Sequence, residues 1–132
     1  MKYLLDTNIC IHFFRGQFNL LDKFNEIGLD NCAISEITLA ELVFGAENSS
    51  NPAKNLDLIE RFNSQVTILP IYNAIYKYGK MKASLRKAGK MISDFDLLIG
   101  CTATENDLTL VTENIRELER ISEIKLENWI VR

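Results

Sequence analysis

The run Tyr3-Leu4-Leu5, followed at once by Asp6-Thr7-Asn8, constrains this chain more than any other segment. Three uncharged apolar residues have the character of a buried strand. Asp, Thr and Asn continue such a strand poorly, so the backbone turns there. A carboxylate at the end of a central strand belongs to open α/β sheets, which collect their ligands at the carboxyl edge. One acid does not make a site, so the rest of the chain has to be searched for groups that reach the same edge.

The remaining elements alternate in kind. After the strand at Tyr3–Leu5, apolar residues from Ile9 to Phe14 start a helix that Gly16 stops. A short helix over Asn19–Gly28 and a second strand at Cys32–Ile34 follow, the latter ended by Ser35. Leu39, Leu42, Val43 and Ala46 keep helical period over Ile37–Asn48. Asn51 and Pro52 then supply an N-cap and a first helical residue, for a helix reaching Ser64. Val66–Ile71 is the third strand. Asn73 is placed to cap a helix that ends at Ala88, with Gly89 as its stop. Ile75, Tyr78, Met81, Leu85 and Ala88 form the apolar stripe of that helix. Ser93 opens another helix, to Asn106. Leu108–Val111 is a strand, Ile115–Arg120 a short helix, and Ile124–Leu126 a last strand before Trp129. Strands separated by helices imply parallel crossovers. The expected fold is α/β, with a central, mostly parallel twisted sheet of four to five strands and helices on both faces.

A chain of 132 residues is one domain on size grounds and buries a core without staples. No apolar run approaches a membrane span, and Asp6 interrupts the N-terminal stretch too early for a signal peptide, which points to the cytoplasm. Cys10, Cys32 and Cys101 are odd in number and lack metal-site spacing, so reduced structural thiols are expected. The single histidine, His12, has no second histidine with which to ligate a metal, and a structural or surface role is expected of it. The net charge of −3 argues against a nucleic-acid partner, but its distribution does not. Between Pro70 and Ser93 there is no acid, while Lys77, Lys80, Lys82, Arg86, Lys87 and Lys90 supply six of the fifteen basic residues. From charge alone a solvated helix face is the favoured reading; a phosphate-binding face is the functional one.

Three further polar positions reach the edge that Asp6 marks. Glu41 lies in an early turn of the helix after strand two. Asp96 lies in the first turn after the Ser93 cap, and Asp94 is an equally placed competitor. Asn114, with Glu113 beside it, follows strand four. Each has a plain alternative: an Asx turn for Asp6 and Asn8, a capping pair of Glu41 with Thr38, and a capping box over Ser93–Asp96. Packed carboxylates repel, so they persist where a divalent cation neutralises them. Oxygen ligands without His or Cys suit Mg²⁺ or Mn²⁺ rather than Zn²⁺. Such an ion lowers the pKa of water and stabilises charge on a phosphoryl oxygen, which is the chemistry of phosphodiester hydrolysis.

The motifs resemble those of the PIN-domain ribonucleases, specifically the VapC toxins of bacterial toxin–antitoxin pairs. Leu4-Leu5-Asp6-Thr7-Asn8-Ile9 is similar to the first family motif and Ile37-Thr38-Leu39-Ala40-Glu41-Leu42-Val43-Phe44-Gly45-Ala46 to the second. Asp96-Leu97-Leu98-Ile99-Gly100 is similar to the third, where Ala is more usual than Gly100. Leu110-Val111-Thr112-Glu113-Asn114-Ile115-Arg116-Glu117-Leu118 is similar to the fourth, and Leu126-Glu127-Asn128-Trp129 to the family's ending. The resemblance spans the whole chain as a PIN-like domain over residues 1–132.

By motif position the resemblance implies metal ligation by Asp6, Glu41 and Asp96, in preference to Asp94. It puts the fourth acidic position on Asn114, an amide, so the catalytic set is Asp6, Glu41, Asp96 and Asn114, with a more weakly held Mg²⁺ or Mn²⁺. It also implies a metal-dependent endoribonuclease acting on structured RNA such as tRNA or ribosomal RNA, a VapB-type antitoxin partner and a homodimer. Lys77, Lys80, Arg86 and Lys90 are then candidates for positioning the RNA backbone. Two other functions fit parts of the pattern. One is a non-catalytic module that binds RNA or an antitoxin. The other is a phosphatase with Asp6 as nucleophile, against which Asn8 stands where that chemistry has a second acid.

Overall fold

A computed structural model describes residues 1–132. The strands are β1 (Tyr3–Leu5), β2 (Cys32–Ser35), β3 (Thr67–Leu69), β4 (Thr109–Val111) and β5 (Lys125–Glu127). The helices are α1 (Thr7–Phe14), α2 (Leu20–Ile27), α3 (Glu36–Glu47), α4 (Pro52–Asn63), α5 (Ile75–Ala88), α6 (Asp94–Glu105) and α7 (Ile115–Leu118). All five strands pair in parallel in one sheet of order β3-β2-β1-β4-β5.

That order explains where a site forms. The chain winds outward from β1 through β2 to β3, then returns to place β4 on the other side of β1. The reversal leaves a crevice between the carboxyl ends of β1 and β4. Register makes the two ends level: Leu5 lies opposite Val111, so Asp6 and Thr112 emerge side by side. The Asp6 N–H donates to the Val111 carbonyl at 2.9 Å, and the Thr112 N–H to Glu127 at 2.9 Å, so the edge is hydrogen-bonded one residue past the strands.

Strand period divides the core in two. Leu5, Cys32, Ile34 and Val111 face one layer with Ile9, Phe24, Leu42, Ile59 and Phe62 from α1–α4. Leu4, Ala33 and Leu110 face the other, with Leu85, Leu97, Ile99, Cys101 and Leu118 from α5–α7. Gly100 sits where α6 approaches the segment after α7. A Cβ there would meet the terminal methyl of Ile121, so any larger residue requires that side chain to move. The three cysteines are unpaired and buried. Burial pushes the thiols of Cys32 and Cys101 up to about 11 and that of Cys10 further still, so they pack as small apolar groups. No helix is long and apolar enough to cross a membrane.

Several boundaries differ from expectation for local reasons. Helix α1 starts at Thr7 rather than Ile9 because the Asp6 carboxylate caps it, accepting the Thr7 N–H at 2.8 Å. Ser35 caps α3 in the same way, from Ile37. Thr38 is fully buried and is not the capping partner of Glu41. Asn73 does not cap α5; it lies in a single tight turn, Tyr72–Ala74, that runs into the helix. Gly89 does end α5, at a left-handed φ of 68°. Of the expected apolar stripe, Leu85 is buried, whereas Ile75 is 44% exposed. Asn51 and Ser93 cap α4 and α6 as the sequence suggests.

Leu110 joins the central strand pair to the second layer and is fully buried. Leu110→Ala should lower the unfolding free energy by roughly 3 kcal/mol, with an unchanged m-value in urea denaturation.

Candidate active site at the carboxyl edge

Asp6 is 4% exposed and is held from three sides. One oxygen accepts the Thr7 N–H at 2.8 Å, and the other accepts the Thr112 hydroxyl at 2.7 Å and the Asn8 side-chain amide at 3.4 Å. Thr112 is used completely: besides donating to Asp6, its oxygen accepts the Asn114 N–H at 2.9 Å and the Asn8 amide at 3.5 Å. Burial is the largest influence on the Asp6 carboxyl, and the bonds from Thr112 and Thr7 counter only part of it. The neighbouring carboxylates of Asp96 and Glu41 add repulsion, and the pKa rises to about 6.

Glu41, on α3, accepts the Thr7 hydroxyl at 2.6 Å. Thr7 has one hydroxyl proton and gives it to the carboxylate, so the 3.1 Å contact with Thr38 is donated by Thr38. Adjacent residues of one turn thus fix both acids: Asp6 directly and Glu41 through Thr7. Glu41 also closes one end of a groove of about 390 Å³ between α1, α3 and α4, lined by Phe14, Arg15, Leu42, Leu58 and Ile59. Asp96, in the first turn of α6, and Glu117, on α7, both face the Asn114 amide, at 3.4 and 3.5 Å. Asp94 points elsewhere. It accepts from Lys82 and from the Tyr78 hydroxyl, both at 2.8 Å, which holds its carboxyl below the usual range.

The structure therefore brings together Asp6, Glu41, Asp96 and Asn114, and it separates Asp94 from them. Glu113 lies at the same edge, but its carboxylate is turned to His12 and Arg132. His12 thus has the structural role that its isolation suggests. The basic residues do not enter the cluster. Lys77 and Lys80 line a separate cleft of about 340 Å³ with Ser84, Ser122 and Glu123. Arg86 and Lys90 are exposed on the last turn of α5 and just beyond it. Lys82 is the basic residue of this helix that forms an ion pair, and its partner is Asp94.

Thr7, Thr112 and Glu117 are the residues that sequence reasoning passed over. A signal existed for each: Thr7 follows the acid that caps α1, and Thr112 is the first polar residue after β4. Glu117 stands three residues after Asn114, on the same helical face. Glu117 adds a second carboxylate, beside Asp96, that faces the Asn114 amide.

These oxygen donors suit a hard divalent ion, although no three of the acids are arranged to grip one directly. That agrees with Mg²⁺ chemistry, in which the ion keeps several waters and takes one or two carboxylates. Burial of the Asp6 carboxylate, with added repulsion from Asp96 and Glu41, is the observation that favours a cation there.

A PIN domain model matches residues 3–124. The chain belongs to the PIN-domain family. Within that family it is 42% identical to ribonuclease VapC2 of Haemophilus influenzae, over 98% of this chain and 99% of the relative. It is 36% identical to the tRNA(fMet)-specific endonuclease VapC of Shigella flexneri, over 98% of each. The VapC fold is similar to a chain in the crystal structure of DNA-bound VapBC from Salmonella typhimurium, with a TM-score of 0.90, 36% identity and 98% coverage of both chains. A chain in VapBC-1 of nontypeable Haemophilus influenzae gives 0.86 at 33% identity, again with 98% of each covered. The PIN-like α/β expectation and the VapC resemblance therefore hold.

The folded state binds the Asp6 proton more tightly than the unfolded chain, whose Asp titrates near 3.8. Stability from this group is complete below that value and is lost as pH rises through about 6. At about 1.4 kcal/mol per unit, ionised Asp6 lowers the unfolding free energy by roughly 3 kcal/mol in chelator. Asp6→Asn should remove this loss, so in urea denaturation the variant gains on the parent between about pH 4 and pH 7. A difference that stays flat across that interval contradicts the electrostatic account.

Proposed function

We propose that this VapC protein is a divalent-metal-dependent endoribonuclease and the toxin of a toxin–antitoxin pair. Asp6 carries the proposal. It is a carboxylate at the β1–β4 crevice whose ionisation is opposed first by burial and then by two further acids, a cost that a bound cation would relieve. Names and structures of relatives support the activity class: ribonuclease, tRNA-specific endonuclease, and VapBC complexes. The proposed substrate is structured RNA, tRNA or a ribosomal RNA loop. The proposed partners are a VapB-type antitoxin that covers the acidic edge and a second copy of the chain.

Asp6, Glu41 and Asp96 would hold Mg²⁺ or Mn²⁺, directly or through water, with Glu117 as a fourth acid. When bound, the ion supplies Lewis acidity and charge neutralisation for phosphodiester hydrolysis. The protein supplies the order. Thr112 and the Thr7 N–H aim the Asp6 carboxylate, and the Thr7 hydroxyl tethers Glu41. The Asn114 amide spans Asp96 and Glu117 and keeps both turned inward. Lys77, Lys80, Arg86 and Lys90 lie outside this edge, and their proposed contribution is to hold RNA backbone in a salt-dependent manner.

The phosphatase reading loses ground to the geometry. Both oxygens of Asp6 are engaged by Thr7 and Thr112, and Asn8, at the position of a second acid, donates to Asp6. Asp6→Asn and Asp96→Asn should each abolish Mg²⁺- or Mn²⁺-dependent RNA cleavage while circular dichroism stays that of the parent. Glu117→Gln should reduce cleavage about tenfold, as expected of a group that supports a metal site. Calorimetry with Mn²⁺ separates the alternatives. A parent that binds no metal and cleaves no RNA at any metal concentration is a binding module. Full cleavage by both Asp variants overturns the catalytic assignment.

A further inference from the structure

Glu113 is the acid at this edge that the proposed metal site does not use, and three parts of the chain converge on it. The Arg132 guanidinium donates to one of its oxygens at 2.6 Å, and His12 Nε2 bonds the other. His12 is fixed in turn by Gln17, at 2.9 Å from Nδ1. The Phe18 ring meets both partners of Glu113: its centroid is 4.8 Å from that of His12, edge to face, and 4.9 Å from the Arg132 guanidinium carbon. Phe18 reaches this position in an unusual backbone. Both Phe18 and Asn19 are left-handed, at φ 59° and 54°, in a loop that contains no glycine at either place. Bulky residues adopt that conformation only where surrounding contacts impose it. The contacts of Phe18 include His12, Arg132 and the first core layer.

The backbone of Glu113 faces the opposite way, into the acidic edge. Its N–H donates to the Asn8 side-chain oxygen at 3.4 Å, and the Asn8 amide reaches Asp6. On either side of Glu113 stand Thr112, which donates to Asp6, and Asn114, which faces Asp96 and Glu117. The residue is a pivot: its side chain is gripped outside the cluster, while its backbone and two neighbours set four of the cluster's contacts. The bonds made by the Asn8 and Asn114 side chains, at 3.4 to 3.5 Å, are near the limit of useful hydrogen bonding, so a small rotation of the Thr112–Asn114 turn breaks them.

We propose that Glu113 is a positioning residue, clamped by Arg132 and His12 over Phe18, which sets the orientation of Asp6, Asn8 and Asn114 for RNA cleavage. This rests on the nuclease reading above, but the geometric part is testable without it. Supporting groups around a reactive site typically change activity by about 10- to 100-fold when removed. Their loss acts on the chemical step rather than on substrate affinity.

Steady-state cleavage by the full chain in Mn²⁺ tests it with Glu113→Gln, Arg132→Ala and the double variant. Lys125→Ala, which removes an ion pair to Asp107 of similar length at 2.8 Å, is the control. Each clamp variant should cut kcat about tenfold with KM within twofold, and the double variant should be no worse than the worse single one. Arg132→Lys should recover part of the loss, and Lys125→Ala should match the parent. The side-chain amide NMR signals of Asn8 and Asn114 should move in the clamp variants and not in the control. Unchanged kcat, a loss that vanishes after correction for folded fraction, or a loss in KM alone overturns the proposal. If the parent itself cleaves no RNA, the nuclease reading fails and the NMR decides the clamp. Shifted Asn8 and Asn114 amides sustain it, and unmoved ones overturn it.

Discussion

The hydrogen bond from the Thr112 hydroxyl to the Asp6 carboxylate, at 2.7 Å, is the contact on which the edge depends. It joins residues 106 positions apart. It exists because β1 and β4 lie in parallel register with their ends level. Asp6 also starts α1, and Thr112 also anchors Asn114, so a single bond links the first helix to the fourth-strand turn. A charge-assisted bond of this kind in a buried setting is stronger than a neutral one and costs more to leave unmade. It still does not compensate for the removal of Asp6 from water. That residual imbalance keeps the Asp6 carboxyl above the usual range.

How much of this was legible depended on the type of signal. Alternation of apolar runs and helical period located every strand and major helix, because burial dictates both. The acids at Asp6, Glu41 and Asp96 were legible because strand ends and helix starts share an edge in a parallel sheet. Whether Asp94 or Asp96 belongs to that edge was not decidable from periodicity, since both occupy the first turn of α6. It is decided by Tyr78 and Lys82, which reach over from α5 and take Asp94. Glu117 was legible only in part: its spacing of three from Asn114 hints at a shared face, but its contact with the amide depends on how α7 leaves that residue. Asn73 misled because a capping residue is a local signal, whereas the tight turn at Tyr72–Ala74 is imposed by packing against α6.

Charge tells a similar story at larger scale. The net charge of −3 conceals a segment of six basic residues and an edge of converging acids. These are not simply complementary halves of one site. Lys82 is engaged with Asp94, and Lys77 and Lys80 open onto another cleft. Sequence distribution located the basic helix correctly but did not give its direction. The groove beside Glu41 adds a third surface of different character, largely apolar with Arg15 at its side, continuous with the acidic edge through Glu41 itself. A ligand seated in that groove has direct access to one of the acids.

The reversal of winding between β3 and β4 has a consequence for how such a protein is made. Residues of the cluster enter at β1, α3, α6 and α7, so its parts are dispersed from Asp6 to Glu117. A chain that emerges from the ribosome N-terminus first holds Asp6 and Glu41 early, yet β1 has only one of its two sheet neighbours until Thr109–Val111 arrive. No shorter nascent segment contains a working fraction of the edge. A polypeptide with the capacity to damage RNA thereby lacks the complete edge through most of its own synthesis.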